Sequence, residues 1–165
     1  LASIHDATEQ FMDAHLMVQE PIRYVEAFQK AGADYVTVHL EACEDVKTTL
    51  DKIHACGMKA GLAVNPETDV KELVPYLEDV EMILIMSVHP GFGGQKFIEH
   101  SVEKVRELRA LIERTGSKAL IEVDGGVNLE TGARLVEAGA DALVAGNAVF
   151  AAPDPEAMIH QLHDL

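Results

Sequence analysis

The stretch Met82–Phe97, MILIMSVHPGFGGQKF, carries two instructions in succession. Its first part, MILIMSV, runs without a charge, as a strand buried on both faces of a parallel sheet must. Its second part places a histidine, a proline and three glycines before the chain turns amphipathic. Glycines let a backbone approach a ligand closely, and successive N–H groups can form a nest for an anion. The helix expected from about Phe97 would add the positive end of its dipole. A mobile surface connector has the same composition, so the stretch alone leaves both readings open.

The same grammar recurs along the chain. β-rich runs begin near Phe11 (FMDAHLMV), Tyr35 (YVTVHL), Met58 (MKAGLAV), Met82, Ala119 (ALIEV) and Ala142 (ALVAG). Helix-like periodicity fills Pro21–Ala31, Asp45–Ala55, Val70–Leu77, Ile98–Arg114, Leu129–Ala138 and Pro155–Leu162. Gly32, Gly57, Gly116 and Gly139 stand where helix C-caps belong, and Pro21 suits a first turn. Ala-Gly-Ala-Asp occurs at Ala31–Asp34 and again at Ala138–Asp141, each time between helix and strand. Most strand starts lie about two dozen residues apart, the length of one βα unit.

Six such units fit an open doubly wound sheet or part of a barrel. The polar residues decide between them. His15, His39, Asn65, His89, Asp124 and Asn147 each fall at or just after the C-terminal end of a strand. Barrels build their sites from that rim, with several units contributing, whereas an open sheet concentrates its site at one switch point. The expected fold is therefore α/β, a (βα)8 TIM barrel. A closed barrel needs roughly 200 or more residues, and this chain has 165 and begins at Leu1. The expectation is a single domain over 1–165 holding strands three to eight, with the first two βα units absent.

A formal net charge of −15 speaks against nucleic acid or an anionic membrane as a broad-surface partner. An anionic ligand must then be caught by a local device. Cys43 and Cys56 have no metal-type spacing and read as buried, reduced thiols. No apolar run approaches the length of a membrane span and no signal peptide opens the chain, so the expectation is a soluble, cytoplasmic protein.

Among single residues, Asp124 ends an apolar strand and precedes Gly125-Gly126. It can cap the following helix or do chemistry. His15 interrupts an apolar strand and reads either as a hydrogen-bonded core histidine or as a ligand. Both face the mouth if the barrel forms, and an imidazole with a carboxylate suits Zn²⁺, Fe²⁺, Mn²⁺ or Co²⁺. Gly146-Asn147 opens onto the final helix, and barrels often hold phosphate at the loops after their last two strands. Met17 and Met86 read by default as core methionines. The acidic clusters Glu41–Asp45 and Glu78-Asp79 read as solvated faces, and His5, His54, His100, His160 and His163 are assigned nothing.

Taken together, DAHLMV (13–18), VHLEA (38–42), GLAVNPET (61–68), MSVHPGFGGQKF (86–97), EVDGGVN (122–128) and GADALVAGNAVF (139–150) resemble ribulose-phosphate 3-epimerases, in the family's order and over almost the whole chain. The resemblance implies an isomerase interconverting D-ribulose 5-phosphate and D-xylulose 5-phosphate in the pentose phosphate pathway, with one divalent metal ion, Zn, Fe, Mn or Co. It implies His15 as a metal ligand in contact with substrate, and Asp124 as both ligand and proton carrier. Gly91, Phe92, Gly93, Gly94, Gly125, Gly126, Gly146 and Asn147 match substrate and phosphate contacts. Met17 and Met86 match methionines lining the reacting face of the sugar. The expected partner is a small sugar phosphate, and self-association into a homo-oligomer goes with the scaffold.

Two departures stand out. The family's strand-one serine and strand-two His and Asp have no counterpart here, and the usual Gly-Ser of the last turn is Gly146-Asn147. Epimerisation at C3 removes a proton beside a carbonyl and returns it to the other face, so it needs one carboxylate on each face. Asp124 can serve one face only. A related epimerase of a ketohexose 6-phosphate and an inactive phosphate-binding fragment remain open alternatives.

Overall fold

In the computed structural model, which describes residues 1–91 and 94–165, six parallel strands form one sheet in sequential order. They are β1 (Asp13–Leu16), β2 (Tyr35–His39), β3 (Lys59–Val64), β4 (Met82–Met86), β5 (Leu120–Asp124) and β6 (Ala142–Val144). All six runs read from the sequence become strands. The helices are α1 (Ala2–His5), α2 (Val25–Lys30), α3 (Val46–Ala55), α4 (His100–Thr115), α5 (Leu129–Ala138), α6 (Asn147–Phe150) and α7 (Pro155–His163). The chain is thus an α/β parallel half-barrel of six strands, with β1 and β6 at its edges.

Local chemistry sets the helix ends. Asp45 and Asp154 accept from the backbone N–H groups of Thr48 and Ala157, and Asn128 with Thr131 forms a capping box at α5. That box answers one open question, because Asn128 and not Asp124 caps the helix after β5. Two expected helices change character. Pro21–Ala31 splits into a 3-10 turn at Pro21–Arg23 followed by α2. Val70–Tyr76 is 3-10 throughout, with Pro75 inside it and unable to donate a backbone hydrogen bond. α4 starts at His100 rather than near Phe97, so its N-terminus stands further from the glycine-rich loop than the sequence suggested. Cys43 and Cys56 are free but only half-buried.

Period-two alternation gives the sheet two faces. Val36, Val38, Leu62, Val64, Ile83, Ile85, Ile121 and Val123 join the main core beneath the helices. Their neighbours in sequence face the other way, where Ala63, Leu84, Met86 and Val88 form a smaller cluster. Register places Thr37 beside His15, Ala63 beside His39, and Asp124 beside Met86. Every polar residue on that inner face therefore shares one concave surface. No helix among the described residues is long and apolar enough to cross a membrane.

Ile85 sits in the main core with no solvent exposure. Truncation to Ala removes buried methylenes and leaves a cavity, a loss of about 2–5 kcal/mol for such residues. Chemical denaturation of Ile85→Ala should show a lower midpoint with an unchanged slope.

Candidate functional site at the C-terminal rim of the sheet

His15 and Asp124 come from strands far apart in the sheet order, yet His15 Nδ1 lies 3.5 Å from Asp124 Oδ2. Curvature of the sheet brings the two inward-facing side chains together across its concave side. An imidazole nitrogen and a carboxylate oxygen aimed at one point suit a shared proton or a borderline divalent cation. The donor set fits such a cation in chemical type and supplies two ligands. Among the described residues no group of three or more His, Cys, Asp or Glu side chains is placed to hold a metal ion.

Behind His15 stands His39, 5% exposed, whose Nε2 is 2.8 Å from His15 Nε2. The Nδ1 of His39 faces Glu41 Oε2 at 3.4 Å. Glu41 Oε1 also accepts from the Asn65 backbone N–H at 2.8 Å and from the Thr68 hydroxyl. Burial pushes the Glu41 carboxyl up, but the hydrogen bonds from His39, Thr68 and the backbone outweigh it and hold it at about 2. Glu41 is exposed as the solvated-face reading expects, yet its carboxylate is pinned by these hydrogen bonds and acts as an anchor. Lys104, buried on α4, donates to the Asn65 carbonyl at 2.6 Å and ties the loop after β3 to the helix layer.

One layer below the rim, the inner face carries Glu122 and Asp13. Burial first, then the charges of Asp13 and Asp124, push the Glu122 carboxyl up to about 8. Its Oε2 is buried without a hydrogen-bond partner among the described residues. Burial also raises Asp13, against the opposing effects of His15, the Thr37 hydroxyl and the Ala14 N–H.

Glycine turns frame the other side of the rim. Gly125 and Gly126 both have positive φ, at 120° and 62°. A Cβ on Gly126 would lie 2.9 Å from the Phe97 backbone, so the DGG turn and the strand–helix loop after β4 can meet only without a side chain there. Ser87 locks the same junction, donating from its hydroxyl to the carbonyls of Asp124 and Gly125 at 3.0 and 2.5 Å. A cavity of about 1070 Å³ opens here. Met17, Met86, Gly91, Gly94, Asp124, Gly125, Gly126, Gly146 and Asn147 all line it, as do Lys96 and Arg134.

The structure thus gathers the sequence candidates around one opening. His15 touches Asp124 at its edge, and Met86 is buried in its floor while Met17 is half-exposed at its side. Phe92 and Gly93, also expected at the site, lie outside the described residues. Sequence reading did not single out His39 beyond its place at a strand end, and it passed over Glu41, Ser87, Lys104 and Glu122. For Glu122 the available signal is strand parity, since it sits two residues before Asp124 on the same strand; Glu41 lies past the end of β2 in a 3-10 turn and carries no such signal.

A parallel β/α sheet with its polar side chains gathered at the strand C-terminal ends belongs to the barrel-type enzymes. Solved structures share the fold. KGPDC from Streptococcus mutans superposes with a TM-score of 0.78 at 13% identity, over 99% of this chain and 76% of its own. A 3-hexulose-6-phosphate synthase does so with a TM-score of 0.70 at 20% identity, over 99% and 77%. These are TIM-barrel-like neighbours in fold alone.

Sequence comparison is more specific. The model of the ribulose-phosphate 3 epimerase family matches residues 1–150. Ribulose-phosphate 3-epimerase of Bacillus subtilis is 44% identical over 161 residues, 97% of this chain and 74% of that protein. The Chlamydia muridarum enzyme of the same name is 45% identical, over 91% and 67%. The chloroplastic enzyme of Arabidopsis thaliana is also 45% identical, over 92% and 55%. The chain belongs to the ribulose-phosphate 3-epimerase family, and so to the isomerases. It spans about three quarters of the Bacillus subtilis relative's length.

The buried Glu122 gives this inner face a pH dependence of definite sign. Its folded pKa, about 8, lies above the ordinary value of 4.5, so the native state holds the proton more tightly than the unfolded chain. Its contribution is fully present below about pH 4.5 and is lost as pH rises toward 8. In Glu122→Gln, which keeps the shape without the charge, the decline in stability across that window should be shallower than in the unsubstituted protein. Thermal melts at stepped pH measure the difference.

Proposed function

We propose that the rim cavity is the active site for interconversion of D-ribulose 5-phosphate and D-xylulose 5-phosphate, and that Asp124 moves the C3 proton on one face of the sugar. The observation that carries this reading is the convergence of His15 Nδ1 and Asp124 Oδ2 at 3.5 Å, beside a glycine-framed cavity, in a chain of this family.

Asp124 is a general base toward one epimer and a general acid toward the other, because the proton it takes from one face must be replaced on the opposite face. His15 and Asp124 would hold a divalent cation, Zn, Fe, Mn or Co. Such an ion supplies positive charge against the negative charge that develops on the substrate oxygens when C3 loses its proton. Met17 and Met86 offer the flat, deprotonated sugar a polarizable surface with no proton to exchange. Gly91 and Gly94 stand on one wall of a phosphate grip, and Gly125-Gly126 with Gly146-Asn147 form the others. Gripping the phosphate orients C3 and uses binding energy far from the reacting carbon.

In this reading the six strands are strands three to eight of a (βα)8 barrel. The carboxylate for the opposite face and the remaining ligands then come from strand two, and the unpaired edges of β1 and β6 are where strands one and two fit. The protein works in the cytoplasm.

Asp124→Asn should lower kcat for D-ribulose 5-phosphate by about 10²–10⁴-fold, the usual contribution of a positioned acid or base. A coupled assay for D-xylulose 5-phosphate reads it. Normal turnover in that variant, in the active protein, would overturn the role given to Asp124. Treatment with a chelator should abolish turnover, and adding back Zn²⁺, Mn²⁺ or Co²⁺ should restore it.

A further inference from the structure

We propose that His39 and Glu41 are positioning residues that fix which nitrogen of His15 carries its proton, so that Nδ1 presents a lone pair toward Asp124. The inference builds on the reading of His15 and Asp124 as a cation-holding pair.

The argument starts at Glu41. Its Oε1 is occupied by the Asn65 N–H and the Thr68 hydroxyl, leaving Oε2 toward His39 Nδ1. A carboxylate only accepts, so His39 Nδ1 must bear a hydrogen. A neutral His39 then has its lone pair on Nε2, which lies 2.8 Å from His15 Nε2. Two lone pairs cannot face each other at that distance, so His15 Nε2 is the donor. The ring planes are 20° apart and the centroids 5.0 Å apart, so the rings meet edge to edge in an N–H···N bond and do not stack face on. With its proton committed to Nε2, a neutral His15 turns the bare Nδ1 toward Asp124 Oδ2 at 3.5 Å. A cation requires that nitrogen free of its proton, and an outer hydrogen bond of this type fixes both the tautomer and the ring orientation of a ligating histidine.

The chain of contacts is anchored rather than floating. Lys104 holds the Asn65 carbonyl from α4, the Asn65 N–H holds Glu41, and His39 is nearly without solvent contact. The positioning therefore passes from the helix layer through Glu41 and His39 to the metal-facing nitrogen of His15.

The test uses ¹⁵N-labelled full protein and reads the histidine protons directly by NMR. In the metal-free and Zn²⁺-loaded states, an exchange-protected proton should appear on His15 Nε2, with a ¹⁵N–¹⁵N coupling across the bond to His39 Nε2. His39→Leu removes the acceptor and should erase that signal and weaken Zn²⁺ or Co²⁺ binding by about 10–100-fold in chelator competition, the usual cost of losing such a partner. His39→Gln, which restores an acceptor, should keep affinity within a few-fold of the parent. Glu41→Gln should lose the exclusive placement of the proton while its circular dichroism stays native. A proton found on His39 Nε2 instead, or unaltered metal affinity in folded His39→Leu, overturns the proposal. If the parent protein shows the expected His15–His39 signal but takes up no divalent cation, the cation-site reading fails and the tautomer assignment stands.

Discussion

The rim depends on unbroken parallel pairing from β1 to β6. In a parallel ladder, paired residues share a face, and every strand ends on the same side. A one-residue slip anywhere would turn the inward set outward. Asp13, His15, Thr37, His39, Ala63, Leu84, Met86, Glu122 and Asp124 share the inner face because the register carries it from strand to strand. The turn glycines then work at a fixed edge. Gly126 can meet the Phe97 backbone only because β4 and β5 end level, with Met86 beside Asp124.

That arrangement also answers the charge problem. A chain of net charge −15 repels anions at long range, so a phosphate must be won at contact distance. Backbone N–H groups in a glycine-rich loop and turn suit this, because they carry no net charge to be balanced elsewhere. Arg134 lines the same cavity, but Glu99 bonds it and absorbs part of its field. Lys96, also on the cavity wall, is exposed.

The six strands were legible because each is a compact apolar run bounded by turn residues, and α5 appears with the ends read for it. Val70–Leu77 reads as an ordinary helix because the same apolar spacing survives in the 3-10 turn of Val70–Tyr76, and only Pro75 points otherwise. Asp124, His15 and the glycine turns were legible because each interrupts a pattern. Glu41 was not. It sits in an acidic stretch, and local sequence cannot tell a free solvated carboxylate from one hydrogen-bonded to Asn65 and Thr68 more than twenty residues away. Lys104 was hidden for the same reason, as one more cation on an amphipathic helix that happens to point at a loop carbonyl. Such residues are defined by what folds onto them.

The layer beneath the rim bears on the chemistry above it. Glu122 and Asp13 lie two residues below Asp124 and His15, roughly 6–7 Å along each strand. An ionised Glu122 would set a second negative charge under Asp124 and compete for whatever proton or cation the rim holds. Burial first, and then the charges of Asp13 and Asp124, push its carboxyl up to about 8 and so favour the neutral form. Environment thus favours the neutral form for the inner carboxyl of this strand, Glu122, two residues below Asp124 at the rim. Among the described residues Glu122 Oε2 has no hydrogen-bond partner, which agrees with a neutral carboxyl, because a strong donor placed beside it would favour the charged form.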